Sequence, residues 1–376
     1  MKKIRAAICG LGFGGAFVPI WRDHPMVESI GIFDIDKKIA LQTAQYYGIA
    51  HIYDSFEDVL SDDTLDAVHL TTPIPLHEEQ TVRVLESGKH CACTVPMTTS
   101  LEGVRRIVET VKRTQKKYMM METTLYTRQF MHVQKMLKSG EIGRIQFLRG
   151  SHYQDMENWP EYWMGLPPMW YGTHAVSPLV ALAGCRVKSV YAVGSGSMRE
   201  ELKARYRNPF PVETALFTFE NGMHAEATRS LFETAREYQE GLFVYGSKAS
   251  FEWGFRDLDA PVITRLVPRD HERGFLTQSQ SVELGPDYGA LPEALRIHTT
   301  SSEDYDATSP EKALVIGAAA GHHGSHPHLV HEFVTAIVED RKPWTDEIMA
   351  ANITAACVCA HESALRGGVV MEIPAF

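Results

Sequence analysis

The 376-residue chain contains no run of eighteen apolar residues, no lysine- or arginine-rich block, and no disulfide-framework spacing among its six cysteines. Each lack removes a class of protein. Without a long apolar run, and with Met1-Lys2-Lys3 leading into a strand-like stretch instead of a signal-peptide core, neither membrane insertion nor export is expected; the cytoplasm is the expected location. Cysteines 9, 91, 93, 185, 357 and 359 lie in apolar strand-like or helix-like segments and read as reduced, buried thiols. Their two Cys-x-Cys pairs are read as core packing, and no metal site is expected. A net charge of −10 without a basic block argues against nucleic acid as a partner. Internal repeats and low-complexity tracts are also missing.

What is present is 44% hydrophobic residues, enough for a large core, over a length that suits two domains. The run Ile4 to Ile8 leads directly into Cys9-Gly10-Leu11-Gly12-Phe13-Gly14-Gly15. In the G-x-G-x-x-G spacing of Gly10, Gly12 and Gly15, the first glycine permits a tight turn, the second lets backbone approach phosphate, and the third brings helix against strand. Free N–H groups at a helix start then face the anion, with Phe13 and Gly14 in the same loop. A second strand-like run, Ser29 to Phe33, ends at Asp34, about 20 residues beyond the last glycine, where a carboxylate accepts both ribose hydroxyls. Asp34 favours NAD over NADP, whose 2′-phosphate would meet a like charge. The alternative for Asp34 is a strand-terminal turn residue.

Further strand-like runs at Ala67 to Thr71, Lys89 to Cys93 and Tyr118 to Met121 alternate with helical periodicity at Lys37 to Tyr47, Leu76 to Ser87, and Leu101 to Lys116 after the cap Ser100. The pattern predicts an α/β, doubly wound parallel sheet over residues 1–122. From 123 to 376 a second α/β domain is expected. It opens with a helix over Arg128 to Lys138 and a strand over Ile145 to Tyr153, followed by alternating runs within 186–263 that suggest a large open, mainly antiparallel sheet. Residues 268–324 read as a long excursion. Helices His328 to Glu339 and Ile348 to Leu365 and a strand Val369 to Ile373 close the chain.

The segments Leu70-Thr71-Thr72-Pro73-Ile74-Pro75-Leu76-His77, Leu85 to His90, Cys93-Thr94-Val95-Pro96, Ser139-Gly140-Glu141-Ile142-Gly143 and Ala360 to Gly368 together resemble the Gfo/Idh/MocA oxidoreductase family over nearly the whole chain. The resemblance implies a Rossmann domain, an α/β domain whose open sheet supports homodimers or homotetramers, and a cofactor site that adds Thr72, Pro73, His77, Thr94 and Val95 to the glycine loop. Two departures stand out. Where most family dehydrogenases have Glu-Lys-Pro, this chain has Thr94-Val95-Pro96, and valine carries no charge. The later Asp-x-x-x-His-x-x-Asp pattern reads Trp170-Tyr171-Gly172-Thr173-His174-Ala175-Val176-Ser177, which keeps only the histidine. The motifs are closest to the NAD-dependent α-N-acetylgalactosaminidase branch. That branch carries Glu-Val-Pro, a Tyr-x-Thr-His-x-x-x-Pro string like Tyr171 to Pro178, a segment like Met120-Met121-Glu122, and a further tyrosine opening the second domain, as in Gly150-Ser151-His152-Tyr153.

Hydride removal from a sugar carbon needs a base for the hydroxyl proton, and His174 is the group in these motifs suited to that near neutrality. On the branch's pattern, oxidation at C3 acidifies C2–H, a second base removes that proton, the C1 substituent leaves, water adds, and the hydride returns. Tyr153 is the candidate second base, with His152 as its helper and a substrate contact, and Tyr171 hydrogen-bonds substrate or His174. Glu122 either contacts substrate or nicotinamide, or caps a strand end. Among the aromatics Trp159, Tyr162, Trp163 and Trp170, Trp163 is a candidate for stacking on a sugar face. The cluster 321–331 reads as a polar lid whose His326 reaches substrate, in preference to a metal site. The expected activity is an NAD-dependent glycoside hydrolase acting on a small carbohydrate or glycoside. The alternatives are a plain NAD-dependent sugar dehydrogenase and a non-catalytic NAD-binding protein.

Overall fold

The computed structural model describes residues 3–257, 259–268, 274–299 and 322–376. They fall into two units, Met1–Tyr126 with Pro286–Thr354, and Thr127–Gly285 with Ala355–Ala375.

In the first unit, β1 (Ile4–Cys9), β2 (Val27–Phe33), β3 (His51–Ile52), β4 (Ala67–Leu70), β5 (His90–Cys93) and β6 (Tyr118–Met120) form one sheet in the order β3-β2-β1-β4-β5-β6. Every pairing is parallel. Strands such as β1 and β4 are buried on both faces, which is why they read as continuous apolar runs. The strand order reverses between β1 and β4, and the loops leaving those two strands flank the crevice where an open α/β sheet receives ligands. Between the strands run α1 (Val18–Asp23), α2 (Lys37–Tyr47), α3 (Phe56–Ser61), α4 (His77–Glu86) and α5 (Leu101–Thr114). Three of these starts are fixed locally: the side chains of Asp36, Ser55 and Ser100 accept the N–H groups of Lys38, Asp58 and Gly103.

The second unit begins with α6 (Arg128–Lys138), β7 (Ile145–Tyr153), α7 (Thr173–Ala183), β8 (Val187–Ser195) and α8 (Glu200–Lys203). It continues with β9 (Val212–Phe219), β10 (His224–Ser230), β11 (Gln239–Gly246), β12 (Ala249–Glu252), β13 (Val262–Pro268) and β14 (Phe275–Ser281). After α9 (Glu293–Arg296), α10 (His326–Val338) and α11 (Glu347–Leu365), β15 (Met371–Glu372) completes a nine-stranded sheet ordered β14-β13-β12-β11-β7-β10-β9-β8-β15. Its pairings are antiparallel except for the parallel pair β7–β10. Helix α7 packs on one face so closely that a Cβ on Gly150 would overlap the Ala175 carbonyl. Helix α11 is apolar on all sides and long enough to cross a bilayer by length alone, but its side chains from Ala350 to Ala360 are buried, as in a core helix.

Two expectations change. Part of the excursion, 269–273 and 300–321, lies outside the described residues. Within it, Phe275–Ser281 is not irregular: it is the edge strand β14, exposed along its whole length, so it carries no alternation to announce it. The segment from Pro286 to Thr354 also counts with the first unit, where one unbroken domain over 123–376 is expected from the sequence. The reason is packing: Leu291, Leu295, Leu329, Val330, Phe333 and Ile337 join Phe17, Ile20 and Trp21 in one apolar core.

Candidate active site

In the first unit the glycine loop leaves β1 directly. Gly10 has φ +90°, and a Cβ there would lie 2.8 Å from the Thr71 carbonyl oxygen, so this position needs glycine for the fold itself. Cβ atoms on Gly12 or Gly15 would meet no protein atom within 4 Å, so packing alone does not require glycine there. The approach of a pyrophosphate to the backbone does. The N–H groups of Gly12 and Phe13 have no protein acceptor among the described residues, as an anion cradle requires. Asp34 accepts the Leu11 N–H at 2.6 Å through one carboxylate oxygen and the Asp36 N–H at 2.8 Å through the other. It thus serves as the strand-terminal turn residue, and a carboxylate with about four acceptor sites still has capacity for ribose hydroxyls. These residues fit a bound NAD.

Beyond β4 and β5, buried His77 places one ring nitrogen 2.8 Å from the Thr72 carbonyl and the other 2.7 Å from the Pro96 carbonyl, tying the two loops together. Burial holds its pKa below the ordinary histidine value, so the neutral ring donates to one of them. The Thr72 hydroxyl bonds Gln80 at 2.5 Å, and Pro73 precedes the 3-10 turn Ile74–Leu76. Thr94 lies 3.5 Å from His77, and Val95 is buried and apolar. Glu122 accepts the Thr124 N–H at 3.1 Å, which is the strand-end cap. His326 stacks on Phe17 at 4.4 Å and meets the edge of Phe13 at 5.6 Å, so the structure sets it beside the glycine loop. Elsewhere in that cluster, His331 pairs with His24 at 3.0 Å and His328 with the Asp287 carbonyl at 2.9 Å.

In the second unit, β7, β10, β11, α7 and the 3-10 turn Pro168–Tyr171 converge on His174. The imidazole is buried, its Nε2 is 3.3 Å from the Tyr171 hydroxyl, and its ring centroid is 4.9 Å from that of His152. Trp163 closes over Tyr171, edge to face, at 4.7 Å. Three residues that the sequence reading does not single out complete the group. Glu240, wholly buried, places Oε1 3.9 Å from His174 Nδ1 and accepts the Tyr238 hydroxyl at 2.6 Å. Arg229, also wholly buried, donates to the carbonyls of Tyr171, His152 and Ser230 and to the Gln154 side chain. Burial pulls Arg229 down to about 10, which leaves it a cation at neutral pH, and it pushes the Tyr238 phenol up.

Tyr153 is not in this group. Adjacent residues of a strand face opposite sides, and with His152 turned toward α7, Tyr153 points to the other face of the sheet. There Arg236 lies over its ring at 4.8 Å, in a groove of about 550 Å³ that Arg149 and Phe255 also line. Trp159 is exposed, and Trp170 packs against His361 and Tyr206. A structure-free signal for Arg229 exists: it continues the inward series Ala225, Ala227 on an alternating strand, where a charge needs partners. Glu240 gives no such signal, because β11 is buried along most of its length.

Comparison with known proteins agrees with this architecture. A family model described as an oxidoreductase family with an NAD-binding Rossmann fold matches residues 4–122, and one described as the GFO/IDH/MocA C-terminal domain matches 130–252. The chain is 27% identical over 198 residues to a "Glycosyl hydrolase family 109 protein" of Shewanella baltica strain OS155, covering 48% of this chain and 42% of that one. A protein of the same description from Shewanella pealeana is 27% identical over 265 residues, covering 63% and 57%. The chain thus spans about half the length of the curated relatives it matches. Among solved structures, a levoglucosan dehydrogenase in complex with NADH and levoglucosan superposes with a TM-score of 0.77 at 19% identity, over 99% of this chain and 100% of that one. A UDP-N-acetylglucosamine 3-dehydrogenase from Acidithiobacillus ferrooxidans gives 0.69 at 16% identity, over 97% and 99%. These two share the fold.

Proposed function

Because the chain belongs to the Gfo/Idh/MocA oxidoreductase family and its first unit is an NAD-binding Rossmann domain, we propose that it is a sugar-active enzyme that hydrolyses a glycosidic bond by transient oxidation at ring carbon C3. The observation that carries this reading is the buried group of His174, Tyr171 and His152, which gathers proton-handling side chains in a chain whose motifs lack the lysine and aspartates of ordinary family dehydrogenases. The glycosyl hydrolase family 109 relatives support the hydrolytic outcome. Bound NAD supplies the hydride acceptor at the start of the cycle and the hydride donor at its end.

The chain's own residues handle the protons. His174 takes the C3 hydroxyl proton as the hydroxyl becomes a ketone, with Tyr171 steering the same oxygen. His152, on the same face of the sheet, takes over the role expected of Tyr153 and removes the acidified C2 proton as the C1–O bond breaks. Water adds at C1 and its remaining proton goes to the departed oxygen, His152 returns its proton to C2, and His174 returns the other to the C3 oxygen when the hydride comes back. Net hydrolysis results, with no net change in redox state.

Incubation with nitrophenyl glycosides of both anomers in deuterated water tests this. Phenolate release that depends on NAD, with deuterium at C2 of the product and no build-up of NADH, is the expected result. A second reading, a dehydrogenase that releases the keto sugar, is favoured by the sugar dehydrogenases among the structural neighbours. NADH accumulating in step with substrate consumption, without phenolate, establishes that reading and overturns hydrolysis.

The proposal includes a homodimer or homotetramer formed through the outward face of the second sheet. Tyr191 and Leu216 are cross-strand neighbours there and both are exposed, so together they offer an apolar patch. Light scattering on the parent and on the Tyr191→Lys, Leu216→Lys double variant should show an oligomer and a monomer, respectively; a monomeric parent removes this part of the proposal.

A further inference from the structure

We propose that Glu240 is the positioning carboxylate of the site: from β11 it takes the place of the acids missing at Trp170 and Ser177 and holds the His174 imidazole with its proton on Nδ1, so that Nε2 faces Tyr171 and substrate. This rests on the reading of His174 as the group that receives the hydroxyl proton.

Three observations carry it. Glu240 and His174 are both excluded from solvent, and the carboxylate oxygen nearest the ring, at 3.9 Å, approaches Nδ1 while the Tyr171 hydroxyl approaches Nε2 at 3.3 Å. The two sides of the imidazole are thereby chemically distinct: an obligatory acceptor on one and a hydroxyl on the other. Glu240 is also held in place. Its Oε1 accepts the Tyr238 hydroxyl at 2.6 Å, its N–H donates to Asp257 at 3.2 Å, and its strand position is registered against His152. Finally, the charges require it. Tyr171 from the 3-10 turn, His152 from β7 and Glu240 from β11 face His174 directly, while Arg229 from β10 lies against Tyr171 and Tyr238 from β11 against His152. Of these, Glu240 is the carboxylic acid. It balances the buried Arg229 cation before reaction and the imidazolium when His174 takes a proton.

Glu240→Gln preserves shape and the Tyr238 contact but removes the charge. It should lower kcat roughly 10- to 100-fold with KM within about twofold, the effect typical of a lost outer partner to a working imidazole. In ¹⁵N spectra of imidazole-labelled protein, assigned with His174→Gln, the parent should show His174 protonated on Nδ1. Glu240→Gln should show a mixture of tautomers or the reverse. Glu240→Asp should recover part of kcat and the parent tautomer. If Glu240→Gln does not fold, Tyr238→Phe reports on the same arrangement: it leaves the charge but frees its direction, and a smaller loss of kcat with a partial tautomer shift is expected. Parent kcat together with the parent tautomer in whichever of these variants folds overturns the assignment. A tautomer shift in a protein that turns over no sugar or glycoside supports Glu240 while overturning the proposed function. Turnover with an unmoved tautomer does the reverse.

Discussion

A Cβ on Gly10 would sit 2.8 Å from a backbone carbonyl at a φ of +90°, whereas one on Gly12 would touch nothing in the protein. The two glycines therefore answer to different demands, and alanine separates them. Gly10→Ala should destabilise the fold by about 2 kcal/mol or more, since a side chain in that region of φ is strained and the carbonyl cannot yield cheaply. Gly12→Ala should melt within a degree or two of the parent, about the effect of a surface substitution, yet bind NAD roughly tenfold or more weakly, a difference of about 1.4 kcal/mol. Calorimetric melting and titration of NAD by protein fluorescence read both. If Gly12→Ala bound NAD like the parent, this loop would not be the pyrophosphate cradle. Asp34 shows why residue types alone underdetermine such a site: holding the loop through Leu11 and receiving ribose require the same carboxylate in the same place.

At the scale of elements, what was legible was what is locally determined. Strands β1, β4 and β5 are buried on both faces and read as apolar runs, and α5 starts at a serine whose side chain caps it, so the first sheet follows from periodicity and caps. β14 was not legible because an edge strand exposed on both faces carries no hydrophobic alternation. The return of 286–354 to the first unit was not legible either, because it depends on which core α10 finds and not on the pattern of α10 itself. The placement of Tyr153 is of another kind: two adjacent residues on one strand face opposite ways, so the period of two already separates it from His152. Arg229 shows how much one buried side chain does for several elements. Its guanidinium joins the end of β7, the neighbouring residue of β10 and the turn that presents Tyr171. Arg229→Lys cannot reproduce a planar fork reaching four acceptors. It should cost about 3 kcal/mol or more of stability in urea unfolding, and because lysine keeps the charge, a double variant with Glu240→Gln should lose more still, since the buried cation is then left without its carboxylate.

Across the whole molecule, acid sensitivity should arise in the first unit, where several histidines are buried as neutral rings. Burial, with His331 adjacent, holds His24 down to about 3; burial alone holds His69 down to about 3; burial only partly offset by Asp287 holds His328 down to about 4. In the unfolded chain each titrates near 6.5. Above that value both states are neutral at these positions and their contribution to stability is fully present. As the pH falls from about 6.5 toward 4, the unfolded chain takes up protons that the folded one refuses, so the equilibrium moves toward unfolding by about 1.4 kcal/mol per pH unit for each histidine that differs. Three such residues give a loss of about 4 kcal/mol per pH unit once all are protonated in the unfolded state, steep enough to lower the melting temperature well before the carboxylates titrate. His69 is the cleanest reporter, since it is wholly buried and its ring accepts the Trp21 indole N–H at 3.2 Å. His69→Gln keeps an acceptor for that indole and cannot be charged, so it should flatten the dependence of stability on pH by about 1.4 kcal/mol per pH unit. Denaturant unfolding between pH 7 and pH 4.5, run on both proteins, decides the matter: a parent whose stability is level over that interval would mean these rings accept protons without unfolding.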